Sequence, residues 1–132
     1  MLAADHVFTE YNIARGDLEA GFASADAVVE MSFKTSPVHQ AYIEPQACLA
    51  RFDADGQGEI WASSQGHFVV RAFTAKLLGI DIANVLVHPA EIGGGFGGKT
   101  TVYGEPVAAV LALKSGRPVK IVMTREEVFR AT

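Results

Sequence analysis

The octapeptide GGGFGGKT at residues 93–100 is the part of the sequence with the clearest capacity for chemistry. Its glycines surround Phe96, and Lys99 and Thr100 follow them. Glycine has no side chain, so backbone N–H groups can approach a ligand closely, and such groups beside a helix N-terminus can bind an anion. The octapeptide therefore predicts a loop that cradles an anionic ligand.

Two nucleotide-binding patterns also match residues 93–100. The pattern G-x-x-x-x-G-K-[ST] of a P-loop would place Lys99 on phosphates and Thr100 on magnesium, and G-x-G-x-x-G is typical of dinucleotide-binding folds. A run of glycines matches both patterns by chance. The following strand ends in Thr124 instead of a magnesium-binding acid, and Pro106 starts the next helix well beyond the loop. A further alternative is a non-catalytic interaction domain with a flexible glycine connector.

The elements that must position this loop follow from hydrophobic periodicity. Alternation predicts strands at 7–14, 27–35, 47–53, 59–63, 85–92 and 118–123. Helical spacing predicts helices over 67–78 and 105–114, with shorter ones capped by Asp17 and by the capping-box pair Thr124 and Glu127. We therefore expect a single α+β domain over 1–132, strand-rich in 1–66 and helix–strand–loop–helix–strand in 67–132. Two to three helices would pack on a mixed sheet.

Composition excludes several classes of protein. One cysteine in 132 residues rules out an internal disulfide, a multi-cysteine zinc site and an iron–sulfur cluster. Basic residues are scattered instead of clustered, which argues against nucleic acid as a partner. The sequence has no apolar run of membrane-spanning length and no secretory signal, so we expect a soluble, cytoplasmic chain without a membrane partner. The histidines have no metal-ligand spacing, so no side-chain metal site is predicted.

Four stretches resemble, in order and spacing, the first cofactor-binding segment of a known family. This is the molybdopterin-binding subunit of the xanthine dehydrogenase, aldehyde oxidase and carbon monoxide dehydrogenase family. The stretches are RGDLEAGFASADAVVE at 15–30, HQAYIEPQACLA at 39–50, SSQGHF at 63–68 and EIGGGFGGKT at 91–100 followed by ALKSGRPVKIVMTREE. Together they are more specific than either glycine pattern.

The resemblance implies a protein that holds molybdopterin, whose molybdenum inserts a water-derived oxygen into a C–H bond of an aldehyde or heterocycle. Gln65 matches the family glutamine whose amide donates to an oxo ligand of the metal. Gly94, Gly95, Phe96 and Gly97 match the loop beside the metal, where glycines admit the backbone and Phe96 shields the site from water. The pterin holds the metal, so no residue here is a metal ligand, and the cytosine dinucleotide form of the cofactor is one expected variant.

The resemblance also implies that this chain is one part of a larger site. The family's second cofactor-binding lobe and its general-base glutamate lie in other segments, so no catalytic residue is assigned here and the chain alone is expected to be inactive. Glu44 matches the first lobe and not the base. Thr100 stands where purine-oxidising members carry glutamate, which argues against a purine substrate.

The partners that the resemblance implies are the remaining lobe of the molybdenum subunit and iron–sulfur and FAD subunits or domains. A lone lobe should leave apolar surface exposed where the other lobe would dock. We therefore expect the isolated chain to self-associate.

Overall fold

The computed structural model describes residues 9–132, which contain four α-helices, one 3-10 helix and four β-strands. In chain order they are α1 (Leu18–Ala23), β1 (Ala47–Phe52), β2 (Gly58–Ala62), α2 (His67–Leu78), the 3-10 helix (Ile82–Asn84), β3 (Val85–Pro89), α3 (Glu105–Ser115), β4 (Val119–Val122) and α4 (Arg125–Ala131). The chain divides after Ser36 into two compact units, so the single-domain boundary stays a prediction. The α+β class is confirmed. No helix of residues 9–132 is both long and apolar enough to cross a membrane.

The first unit contains α1 and extended backbone. Asp17 caps α1 as predicted, because its carboxylate accepts a hydrogen bond from the N–H of Ala20 at 3.0 Å. The predicted strand at 27–35 is wrong, since none of these residues pairs with a described strand. A segment with alternating apolar side chains is stable as a strand only when a neighbouring strand pairs with it and its apolar side chains are covered. Here Phe33 is 84% exposed. The predicted strand at 7–14 is also absent from residues 9–14, and residues 7–8 lie outside the described part.

The second unit is built on a four-stranded mixed sheet with the order β3-β2-β1-β4. The strand β1 pairs antiparallel with β2 and with β4. The strand β2 pairs parallel with β3, and the helix α2 lies in the connection between these two strands. The predicted β1–β2 hairpin is confirmed, and its turn is closed by the N–H of Gly56 on the carbonyl of Asp53 at 3.0 Å. The strand β3 is shorter than predicted because it ends at Pro89, which has no N–H to donate.

The helices α2 and α3 begin and end where their capping residues predict. Gly79 ends α2 with a φ of 69°, and Gly116 ends α3 with a φ of 63°, both in the left-handed region that glycine adopts without strain. Pro106 occupies the first turn of α3. The capping box at α4 is confirmed, since Thr124 and the Glu127 carboxylate bond each other's backbone N–H groups.

The core lies between the sheet and the two helices α2 and α3. The helix α3 turns its small residues Ala108, Ala109 and Ala112 toward the sheet, and none of the three is accessible to solvent. Small side chains bring the helix close to the strands, so this interface has no room for larger ones. Cys48 lies in the same core; burial and then the charge of Glu105 raise the pKa of its thiol to about 12, as befits a core thiol.

Enlarging the buried face of α3 should destabilise the fold. We expect Ala109→Leu to lower the free energy of unfolding by about 1–3 kcal/mol, because the added atoms must displace the sheet or the helix. Val110→Leu enlarges the neighbouring residue, which is 37% exposed, and should change it by no more than about 0.5 kcal/mol. Urea unfolding followed by the fluorescence of Trp61, the one tryptophan, measures both. Equal destabilisation by the two variants would contradict this packing.

Candidate functional site

Gln65 and the glycine loop lie in direct contact in the structure. Gln65 lies in the exposed turn between β2 and α2. Its Oε1 accepts hydrogen bonds from the backbone N–H groups of Gly97 at 3.1 Å and Lys99 at 3.2 Å. Both partners are donors, so the oxygen must face the loop. The two N–H groups of Nε2 then point elsewhere, and within residues 9–132 they donate to no acceptor.

The backbone of the loop is strongly curved. Gly94, Phe96 and Gly97 have φ values of 94°, 49° and 90°, a region that a non-glycine residue such as Phe96 rarely adopts. The N–H of Gly98 closes a turn on the carbonyl of Gly95 at 2.7 Å. The N–H groups of Gly94, Gly95 and Phe96 find no acceptor in the described part of the chain. Three successive free donors can bind an electron-rich ligand.

The inner side of the loop is packed against the protein's own side chains. A Cβ on Gly93 would lie 2.7 Å from the Cβ of Glu44, and one on Gly98 would lie 2.6 Å from the ring of Tyr42. A Cβ on Gly95 would lie 2.5 Å from the Oε1 of Gln65. All three distances are shorter than real Cβ contacts allow. Gly93 and Gly98 are therefore required by the loop's own support, whereas a Cβ on Gly95 would have to displace the end of the Gln65 side chain.

Lys99 makes a buried ion pair with Glu44. Its Nζ lies 2.6 Å from the Oε2 of Glu44, and its side chain is 1% exposed while that of Glu44 is 34% exposed. The ammonium also lies 5.1 Å from the centre of the Tyr42 ring, within cation–π range. Lys99 therefore points into the protein and not toward a bound phosphate. The P-loop interpretation is therefore wrong, because it requires the ammonium of Lys99 to contact a phosphate.

The Glu44 carboxylate is held in its charged form. Burial by itself would raise its pKa, but hydrogen bonds from Lys99 and from the N–H of Gly93, together with the charge of Lys99, outweigh burial and lower the pKa. A lowered pKa means that the pair stabilises the fold above the ordinary pKa of a glutamate. This contribution is lost as the pH falls through the lowered pKa.

Side chains of residues 42–46 contact the glycine loop and support it, a role that the sequence did not predict. Gln46 donates through Nε2 to the hydroxyl of Tyr42 and, at 3.3 Å, to the carbonyl of Gly98. The Tyr42 hydroxyl lies 3.0 Å from the Oγ1 of Thr132, which follows α4. No local pattern marks this role, because Gly98 and Thr132 are more than 50 residues away in the sequence. The only signal was that 39–50 is one of the resembling stretches.

The Nε2 of Gln65 and the free N–H groups of the loop are neutral hydrogen-bond donors. A groove of about 710 Å³ opens beside Gln65 between the start of α2 and β3, and its lining is mainly apolar. Within residues 9–132 no three His, Cys, Asp or Glu side chains are grouped so that they could hold a metal ion. The donors are therefore suited to a ligand that presents hydrogen-bond acceptors.

Comparison with known proteins identifies the family of the chain. The family model of the molybdopterin cofactor-binding domain matches residues 3–132. The chain belongs to this family. It is a molybdopterin cofactor-binding domain of the xanthine dehydrogenase type of molybdenum enzyme, so the resemblance found in four stretches of the sequence is confirmed.

Individual relatives place the match within much longer proteins. The chain is 36% identical over 118 residues to a probable xanthine dehydrogenase component of Bacillus subtilis, covering 89% of this chain and 16% of that protein. The solved quinoline 2-oxidoreductase of Pseudomonas putida 86 is similar with a TM-score of 0.70 and 30% identity, over 88% of this chain and 15% of that one. The aldehyde oxidoreductase of Desulfovibrio gigas has a TM-score of 0.70 and 29% identity, over 86% and 12%.

Replacing Gly95 should displace Gln65 from the loop. In Gly95→Ala the new Cβ would collide with Oε1 of Gln65. We therefore expect the amide resonances of Gly97 and Lys99, which donate to that oxygen, to shift in a ¹⁵N correlation spectrum while those of the sheet stay in place. The control is Gly21→Ala in α1, where a Cβ meets nothing within 4 Å. Unmoved resonances of Gly97 and Lys99 in the Gly95 variant would show that the contact does not constrain Gln65.

Proposed function

We propose that this chain forms one side of the cofactor site of a molybdenum hydroxylase and binds molybdopterin through Gln65 and the loop at residues 94–97. The observation that carries the proposal is the orientation of the Gln65 amide, whose oxygen is occupied by the loop and whose two N–H groups are free within residues 9–132. When bound, the cofactor supplies the chemistry that inserts a water-derived oxygen into a C–H bond of an aldehyde or heterocycle.

Gln65 contributes a fixed, neutral hydrogen-bond donor. Its two bonds to the loop orient the amide in advance, so donation to an acceptor atom of the cofactor requires little reorganisation. The free N–H groups of Gly94, Gly95 and Phe96 add donors along the loop, which favours the electron-rich ligand. Phe96 is 74% exposed, so its ring is available to shield a bound cofactor from water.

The proposal extends to the class of substrate and to the form of the cofactor. The Thr100 hydroxyl donates to the carbonyl of Gly97 at 3.0 Å, so its short side chain is turned back on the loop and offers no carboxylate to a purine. The apolar groove beside Gln65 favours an aldehyde or a heterocycle other than a purine. We include the cytosine dinucleotide form of the cofactor and electron transfer through iron–sulfur and FAD partners in the proposal.

We further propose that the outer face of α2 and α3 docks the remaining lobe of the molybdenum subunit. Large apolar side chains on this face are exposed by 37% to 65%; they are Phe73, Leu77, Val107, Val110 and Leu111. A helix that is apolar on all sides is normally covered on all sides. The relatives that share this segment are several times longer than the chain, so they contain further segments able to cover the face.

Gln65→Glu tests the donor role of Gln65. A carboxylate can still accept from Gly97 and Lys99, so the loop should keep its shape, but it has no N–H to donate. We expect the affinity for isolated molybdopterin, measured by anaerobic equilibrium dialysis, to fall roughly tenfold to a hundredfold, the worth of one hydrogen bond to a charged group. Gln57→Glu adds the same charge in the β1–β2 turn and should leave the affinity unchanged. Unchanged affinity in Gln65→Glu would contradict the proposal.

The exposed helix face should make the isolated chain self-associate. We expect sedimentation velocity to show oligomers that grow with concentration, because large apolar patches are covered by association in water. Combined Leu77→Lys and Leu111→Lys should shift the chain toward monomer, whereas Ile13→Lys, at a position 94% exposed in the first unit, should not. A wild-type chain that remains a monodisperse monomer at high concentration would count against this docking face.

A further inference from the structure

One oxygen atom holds both ends of the glycine loop. Glu44 Oε2 accepts a hydrogen bond from the N–H of Gly93 at 2.8 Å and lies 2.6 Å from the Nζ of Lys99. Gly93 and Lys99 are the first and last residues of the curved segment that carries the free N–H groups. A second bond runs from the N–H of Glu44 to the carbonyl of Gly93 at 3.2 Å. A single carboxylate therefore connects the first and last residues of the loop.

Lys99 also connects this carboxylate to Gln65. Its backbone N–H donates to Oε1 of Gln65, and its carbonyl accepts from the N–H of Gln65 at 2.8 Å and from the hydroxyl of Ser64 at 3.1 Å. Any movement of Lys99 must therefore move the amide of Gln65. A change at Glu44 reaches Gln65 through one residue.

We propose that Glu44 and Lys99 are positioning residues that set the place of Gln65 and of the loop donors relative to the bound molybdopterin. The inference rests on the proposed function. Neither side chain needs to touch the cofactor, since each acts through the backbone of the loop. A buried ammonium is costly without a partner, so Lys99 can occupy only the position in which it meets Glu44. An apolar side chain at position 99 could change its position without the energetic cost of an unpaired buried charge.

The proposal is tested with Lys99→Met, Glu44→Gln and the two combined. Hydrogen exchange of the backbone amides at positions 97 and 99 reports the contact with Gln65, and exchange in β1 and β2 reports the fold. We expect exchange at these two positions to accelerate at least about tenfold in all three variants, and the affinity for isolated molybdopterin to fall by a similar factor. The control is Arg130→Met, which breaks an exposed ion pair with Glu126 and should change neither quantity.

The combined variant separates positioning from stability. Removing both charges leaves no unpaired ammonium, so protection of β1 and β2 should recover from its value in Glu44→Gln. Loop exchange and molybdopterin affinity should remain impaired. If the combined variant regains the affinity of the wild type together with its stability, the pair is only structural and the proposal is overturned. Wild-type exchange at positions 97 and 99 in Lys99→Met would overturn it equally.

Lys99→Met carries the test if Glu44→Gln does not fold. It leaves the carboxylate of Glu44, which is one-third exposed, to water instead of leaving a buried charge unpaired. The exchange measurement needs no cofactor and decides whether the pair positions Gln65 even if the wild-type chain takes up no molybdopterin. Failure of uptake by the wild type would count against the proposed function instead.

Discussion

The buried contact between Lys99 and Glu44 is the constraint on which the rest of the site depends. An ammonium that is 1% exposed must keep its counter-ion, so the end of the glycine loop is tied to residues 42–46. The same carboxylate oxygen takes the N–H of Gly93 at the start of the loop. With both ends fixed, the backbone between them must curve, and it does so through the left-handed conformations of Gly94, Phe96 and Gly97.

The glycine loop contains both groups that are used for its own support and groups that are free to donate hydrogen bonds. On the inner side, the missing side chains of Gly93, Gly95 and Gly98 are replaced by Glu44, Gln65 and Tyr42. Within residues 9–132, the N–H groups of Gly94, Gly95 and Phe96 and the Nε2 of Gln65 donate to no acceptor. The glycines are needed so that the chain can support its own loop. A loop supported in this way has its donors in place in advance, which would reduce the entropy lost on binding in the proposed function.

Local sequence signals predict most of the fold, but they do not predict the contacts between residues that lie far apart in the chain. The β1–β2 hairpin, α2, α3 and the capping box at α4 each depend on residues within a few positions of one another, and all were predicted. The hydrogen bonds between Gln65 and the loop were not predicted; only the assignment of both to one cofactor site followed from the family resemblance. The burial of Lys99 did not, because the letters G-K-T are the same whether the lysine points at a phosphate or at Glu44, which lies 55 residues away.

Two of the disagreements between patterning and structure have a common physical cause. Residues 27–35 alternate like a strand yet pair with no described strand, and α3 presents valine and leucine to solvent while alanine faces the sheet. Each pattern is what the sequence would need if a further surface covered the element. Segments of the much longer relatives can provide such surfaces. The apolar residues of 27–35 and of the outer side of α3 therefore stay largely exposed within residues 9–132, whereas the polar contacts that support the glycine loop are made within them.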